Sequence, residues 1–155
     1  MKFDELKASY VKAWKNSFEY NGRSDRRDFW YFALANGIVA IILAIASGIV
    51  FERFPNPVYS LYGFASFFPG LALAVRRLHD TGRSGKCLLK YIGVYVVGAI
   101  IMVMCAESAP VVSGLVALAI LGLSIYVIVL FAQKSQIGYN QYGADPNVEA
   151  AGNGK

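Results

Sequence analysis

Three short stretches of this 155-residue chain concentrate the side chains able to do chemistry. The first is Gly22-Arg23-Ser24-Asp25-Arg26-Arg27-Asp28-Phe29-Trp30, with five charges in six residues against an aromatic pair. The second is Arg76-Arg77-Leu78-His79-Asp80-Thr81-Gly82-Arg83-Ser84-Gly85, and the third is Gly138-Tyr139-Asn140-Gln141-Tyr142-Gly143-Ala144-Asp145-Pro146. Arginine presents a planar fork of N–H donors that suits phosphate and carboxylate oxygens. Arg23, Arg26, Arg27, Arg76, Arg77 and Arg83 are therefore candidate anion ligands. The competing reading makes them a topology anchor with internal ion pairs to Asp25, Asp28, Asp80 and Asp145. His79 is the only histidine. Beside Asp80 it is a candidate proton relay or ligand. The reading with more weight is structural, because histidines often only hydrogen-bond. One histidine with no second histidine and no paired cysteines makes a poor metal site, so neither a metal nor a cofactor is expected.

Other catalytic signatures are missing. The chain has no Walker loop, dinucleotide fingerprint, nucleophile elbow or zinc pattern. The elements that must position the three polar stretches are apolar. Hydrophobic residues make up 56% of the chain and charged residues only 16%, where a soluble domain has about 45–50% and about 25%. A spanning helix needs roughly 20 apolar residues. Four runs qualify, at about 29–51, 58–75, 88–106 and 111–132. They are continuously apolar rather than alternating, which excludes a barrel and predicts helices. The expected fold is all-α and integral to the membrane: a four-transmembrane-helix bundle forming a single membrane domain over 1–150. Pro69-Gly70 is expected to kink the second span. Ala33/Gly37, Gly70/Ala74 and Ser113/Ala117 permit close helix approach, within the chain or in a dimer.

Phe3, Leu6, Tyr10, Trp14 and Phe18 recur at helical spacing. They predict an amphipathic helix over 3–20 that lies in the membrane interface or packs on the protein's own loops. Gly82 suits a helix C-cap and Ser84 an N-cap, so a tight turn should fix Arg77 and Arg83 in space. Asn140, Tyr142 and Gly143 sit in successive turns expected to dock on the protein surface. Residues 147–155 are expected to be a disordered tail.

Charge sets the expected orientation. Thirteen of the 15 Lys and Arg residues flank the helices on one side, and only Arg53 lies on the other. The remaining one, Lys90, stands near the start of the third span and can reach the basic side. The positive-inside rule places both termini and the central loop in the cytoplasm. Ala44-Ile45-Ala46 mimics a signal-peptide cleavage site, but the long polar stretch before it and the length of the run argue against cleavage. Cys87 and Cys105 are separated by about 27 Å of helix, far beyond the roughly 7 Å a disulfide spans.

The three polar stretches also carry a resemblance. The chain resembles the bacterial inner-membrane family catalogued as domain of unknown function 805. That family shows a Phe-x-Gly-Arg-x-x-Arg-x-Glu-Tyr-Trp-like stretch, a central Arg-Arg-Leu-His-Asp-x-x-Arg-Ser and a terminal Gly-x-Asn-x-Tyr-Gly-x-Asp-Pro. Tyr20 to Arg23 with Arg26 to Trp30, Arg76 to Ser84, and Gly138 to Pro146 match these in turn. Asp28 and Phe29 replace the usual Glu and Tyr, and Lys86 and Cys87 stand where tryptophans are common. The resemblance implies a multi-pass protein of the bacterial inner (cell) membrane and implies no activity. The function expected first is non-enzymatic: a binding or scaffold protein whose basic face takes an anionic lipid, a small anion or a protein partner. The alternative is a membrane enzyme or transporter acting on a phosphate-bearing lipid or metabolite. The lack of a nucleophile and of any carboxylate within a span favours the first. The lipid bilayer is the expected partner, with a homo-oligomer or membrane-protein partner open. Nucleic acid is not expected, because topology accounts for the basic charge.

Overall fold

The computed structural model describes residues 3–51 and 56–148. Five helices follow in order: α1 Phe3–Lys15, α2 Arg26–Phe51, α3 Pro57–Asp80, α4 Lys86–Cys105 and α5 Pro110–Ala132. The last four are long and apolar enough to cross a membrane. No strand occurs among the described residues; Asn140 and Gly143 form an isolated bridge.

Helices α2 and α3 begin where a side chain satisfies one of their first N–H groups. Asp25 Oδ1 accepts the Asp28 N–H at 2.6 Å, so α2 starts three residues before its apolar run. Asn56 Oδ1 accepts the Tyr59 N–H at 3.0 Å, and Pro57 occupies the first turn of α3, where its missing N–H costs nothing. Pro110 opens α5 in the same way. Helix α3 continues through the buried Pro69 to Asp80.

Helix α1 ends at Lys15 rather than continuing to 20. Asn16 Nδ2 donates to the Lys12 carbonyl and Ser17 Oγ to the Trp14 carbonyl, closing the last turn with side chains. Its buried face is Leu6, Ser9 and Ala13, while Phe3 and Phe18 stay exposed. This face packs on α2 and α3 rather than on loops. Ala13, Phe32 and Leu73 form the core there, ringed by Tyr10, Trp14 and Phe29. Tyr10 stacks on Phe32, and Tyr62 donates its hydroxyl hydrogen to Asn36.

Helices α2 and α3 make one antiparallel hairpin, with Gly70 against the Phe32 ring. Helices α4 and α5 make the second. There Gly98 lies against Ile120 and Val116, too close for a Cβ, and Tyr95 meets Ser124 at 2.8 Å. The tightest approach is at Gly98, and of the small-residue pairs read from spacing Ser113 reaches the Met102 carbonyl of α4 and Gly70 the Phe32 ring of α2. The two hairpins touch far less than the helices within each. Their contacts lie at one end, where Phe29 packs on Phe131 and Gly85 approaches Val75. An evenly packed four-helix bundle is not formed within one chain, and most large apolar side chains of α2, α4 and α5 face outward. Lipid tails are as apolar as these side chains, so burial alone gives the hairpins no reason to close. Cys87 and Cys105 are free thiols at opposite ends of α4.

Candidate functional site

The end where the hairpins meet collects all three polar stretches. It is built from the C-terminus of α3, the turn into α4, the segment before α2 and the segment after α5. Helix α3 stops in a Schellman motif: Arg83 N–H reaches the Leu78 carbonyl at 2.9 Å and Gly82 N–H the His79 carbonyl at 3.0 Å. Gly82 sits at φ +76°, and a Cβ there would strike the Gln136 side chain at 2.3 Å, so only glycine fits. Ser84 Oγ accepts the Lys86 N–H at 3.3 Å, and α4 starts two residues after it.

Asp80 is the centre of the site and is fully buried, with 0% of its side chain exposed. Oδ1 accepts Arg23 Nε at 3.1 Å and lies 3.0 Å from Arg23 Nη2. Oδ2 pairs with Arg77 Nη1. The Arg23 guanidinium, 1% exposed, also donates to the carbonyls of Gly138 (2.6 Å), Gly143 (3.3 Å) and Gln136. The Arg77 guanidinium donates to the carbonyls of Phe131 (3.0 Å) and Gln133 and to Ser135 Oγ (3.2 Å). Arg77 therefore caps the last carbonyls of α5 from α3, which joins the hairpins directly. Gln136 N–H closes the circuit on the Asp80 carbonyl at 2.9 Å. Charge-assisted hydrogen bonds of this kind are roughly twice as strong as neutral ones.

His79 does not face Asp80. Its Nδ1 donates to the Gly22 carbonyl at 3.1 Å, and its ring stacks on Tyr142 at 3.8 Å with planes 2° apart. Gly22, at φ +80°, bends the chain so that Ser24 N–H meets the Arg76 carbonyl. Asn140 Nδ2 donates to the His79 carbonyl at 3.0 Å, and Asn140 and Gly143 exchange backbone hydrogen bonds. The tail turn is thus docked on the central turn, as expected from their composition.

Two carboxylates expected to pair with the arginines lie near them but take other donors. Asp28 accepts from Ser9 Oγ and Lys12 Nζ of α1. Asp145 accepts from Gly138 N–H and from the Asn147 backbone and side chain, ordering a helical turn at 146–148. Those hydrogen bonds from Asn147 hold its carboxyl below the ordinary value of 3.8. Of the stretch expected to be a disordered tail, Asn147 and Val148 belong to this turn, and 149–155 lie outside the described residues. Trp30 packs edge-on against Phe29 and stands apart from the cluster.

The remaining arginines differ in company. Arg83 donates to Gln133 Oε1, and Arg26 to the Ala132 carbonyl at 3.2 Å. Arg26 and Arg27 are exposed and, with Lys134, Asp25, Ser135 and Asn147, line an open groove of about 510 Å³. Arg76 is buried, yet among the described residues its side chain has neither a hydrogen bond nor an ion pair. Sequence reasoning missed Lys134, Gln133 and Gln136. Their signal was position alone, directly after the last apolar run. No grouping of His, Cys, Asp and Glu able to hold a metal occurs among the described residues.

The family model described as "Protein of unknown function (DUF805)" matches residues 17–144. Inner membrane protein YhaI of Escherichia coli K12 is 34% identical over 137 residues, 88% of this chain and 93% of that protein. Inner membrane protein YhaH of the same strain is 27% identical over 143 residues, 90% and 97%. No solved structure matches the chain. The chain belongs to the DUF805 family.

Proposed function

We propose that this DUF805 member is a non-enzymatic binding protein of the bacterial inner membrane, whose basic end faces the cytoplasm and holds an anionic lipid headgroup. The relatives' names and the four apolar helices support the location. The lysine and arginine asymmetry supports the orientation.

The observation that carries the binding reading is the cation surplus left after internal pairing. Arg23 and Arg77 spend their donors on Asp80 and the chain's own oxygens. Arg26, Arg27 and Lys134 remain around an open groove, and the aromatic pair Phe29-Trp30 that follows Arg27 by two residues in the chain suits headgroup depth. Binding is preferred over turnover because the Asp80 carboxylate is shared between Arg23 and Arg77 and His79 points its Nδ1 at the Gly22 carbonyl, so the two do not form an acid–base pair.

A basic residue near an anionic surface contributes about 1 kcal/mol, so neutralising two should weaken anionic-lipid preference by about thirtyfold. The test is mass spectrometry of lipid retained by purified protein. Arg26→Gln/Arg27→Gln should lose phosphatidylglycerol relative to phosphatidylethanolamine. Equal retention in wild type and double variant would assign both arginines to topology alone.

A further inference from the structure

The buried but unpartnered arginine marks a second, more selective site. Arg76 is 7% exposed, and its Nε is shielded with no hydrogen-bond partner. Its natural helical partner is Asp80, four residues on. That carboxylate is already taken, by Arg77 on one oxygen and Arg23 on the other. The nearby acids that act on Arg76 through space are Glu19 and Asp28. Glu19 Oε1 accepts the Asn21 N–H at 3.0 Å, and Asp28 is held by Ser9 and Lys12. A buried charge is normally paired, and this one opens on a cleft of about 310 Å³. That volume reaches the roughly 300–1,000 Å³ range of small-molecule sites. Beside Arg76 the lining includes Asn16, Asn21, Tyr142, Gly143 and the already engaged Arg23, a set of neutral groups around one free guanidinium.

We infer that this cleft binds a single phosphate group through Arg76, with the amides of Asn16 and Asn21 as further donors. The inference deepens the anion-binding reading and rests on it, but places the selective contact in the cleft rather than on the open groove. Arginine suits the task because its fork meets two phosphate oxygens at once. The phosphate has two possible sources: a lipid headgroup, or a soluble phosphomonoester.

The test uses full-length protein in maltoside micelles stripped of lipid. Inorganic phosphate, glycerol 3-phosphate and dihexanoyl phosphatidylglycerol are titrated separately, with binding read by equilibrium dialysis and by the shift of the unfolding midpoint. Saturable binding at one site per chain is expected. Arg76→Leu should weaken it at least tenfold while unfolding no earlier than wild type without ligand, since it removes an unpaired buried charge. Arg76→Lys should weaken it several-fold although the charge is kept. Ala144→Trp, which fills the cleft while leaving Arg76 in place, should also abolish it. A response to the short-chain lipid alone names a headgroup; a response to the soluble phosphates names a metabolite. Arg26→Gln/Arg27→Gln should keep cleft binding, so its lipid retention tests the open groove separately. Absence of saturable binding by any probe, or wild-type affinity in either Arg76→Leu or Ala144→Trp, would overturn the inference.

Discussion

Replacing Asp80 by Asn should unlock the two hairpins. The side chain keeps its shape and one oxygen, but the negative charge between two buried guanidinium groups is lost. Arg23 and Arg77 retain five carbonyl partners and Ser135 between them, so hydrogen bonding survives in large part. What disappears is the charge that two shielded cations share. The new amide also turns an N–H donor toward one of them. Breaking a buried pair typically costs about 3–5 kcal/mol. At about 1.4 kcal/mol per tenfold, that is two to four orders of magnitude in the population of the opened state. The reporter is the Gln136 amide, whose hydrogen bond to the Asp80 carbonyl spans the two hairpins. Its hydrogen-exchange protection, measured in lipid nanodiscs, should fall by at least a hundredfold, while amides in the middle of α2 and α5 keep theirs. A fall of less than tenfold would mean that the carbonyls alone hold the arginines and that Asp80 is not the link between the hairpins.

Two further outcomes follow from the same geometry. Gly82→Ala forces a side chain into a left-handed turn and against Gln136; the left-handed term alone is about 1–2 kcal/mol, so the unfolding midpoint should drop, and an unchanged midpoint would refute the packing argument. Asp145 has a depressed folded pKa because Asn147 donates to it, so its stabilisation is complete above the unfolded value near 4 and is lost as pH falls through the folded value. Wild type should therefore unfold at higher temperature than Asp145→Asn at pH 6, with the gap closing toward pH 3; a gap independent of pH would show that charge plays no part.

The spans were legible because hydropathy and length are direct physical requirements of a bilayer. Their ends were less so. Helix α2 begins at Arg26, inside a charged stretch, because Asp25 caps it; a hydropathy scan sees only where apolar residues start. Likewise the aromatic stripe of α1 gave a helix but not its docking. Leu6, Ser9 and Ala13 face inward because small residues let α1 approach α2 and α3, and a periodicity of large side chains does not record that. The turns that carry the polar stretches were legible from Gly, Asn and Asp, yet which arginine takes which acid was not readable. Asp80 is three residues from Arg77, four from Arg76 and 57 from Arg23. Local spacing favours the first two, and the fold selects the first and the last.

That selection is the physical reason for an arginine pair at 76–77 rather than a single residue. Neighbouring positions on a helix point about 100° apart, so one side chain can face α5 while the next faces the segment before α2. Arg77 takes the first direction and spends its fork on the open end of α5. Arg76 takes the second, where the entering chain brings its own cation, Arg23, onto Asp80. Two buried guanidinium groups then share one buried carboxylate, and the buried Arg76 stands beside Arg23 on the other side. Apolar contact cannot decide whether hairpins associate in lipid, so polar links must, and a link with surplus positive charge tightens when an anion joins it. An anion held by Arg76 would therefore couple occupancy of the cleft to the closure of the two hairpins. A phosphate at Arg76 adds a negative charge beside Arg23 and so raises the barrier to withdrawing Arg23 from Asp80.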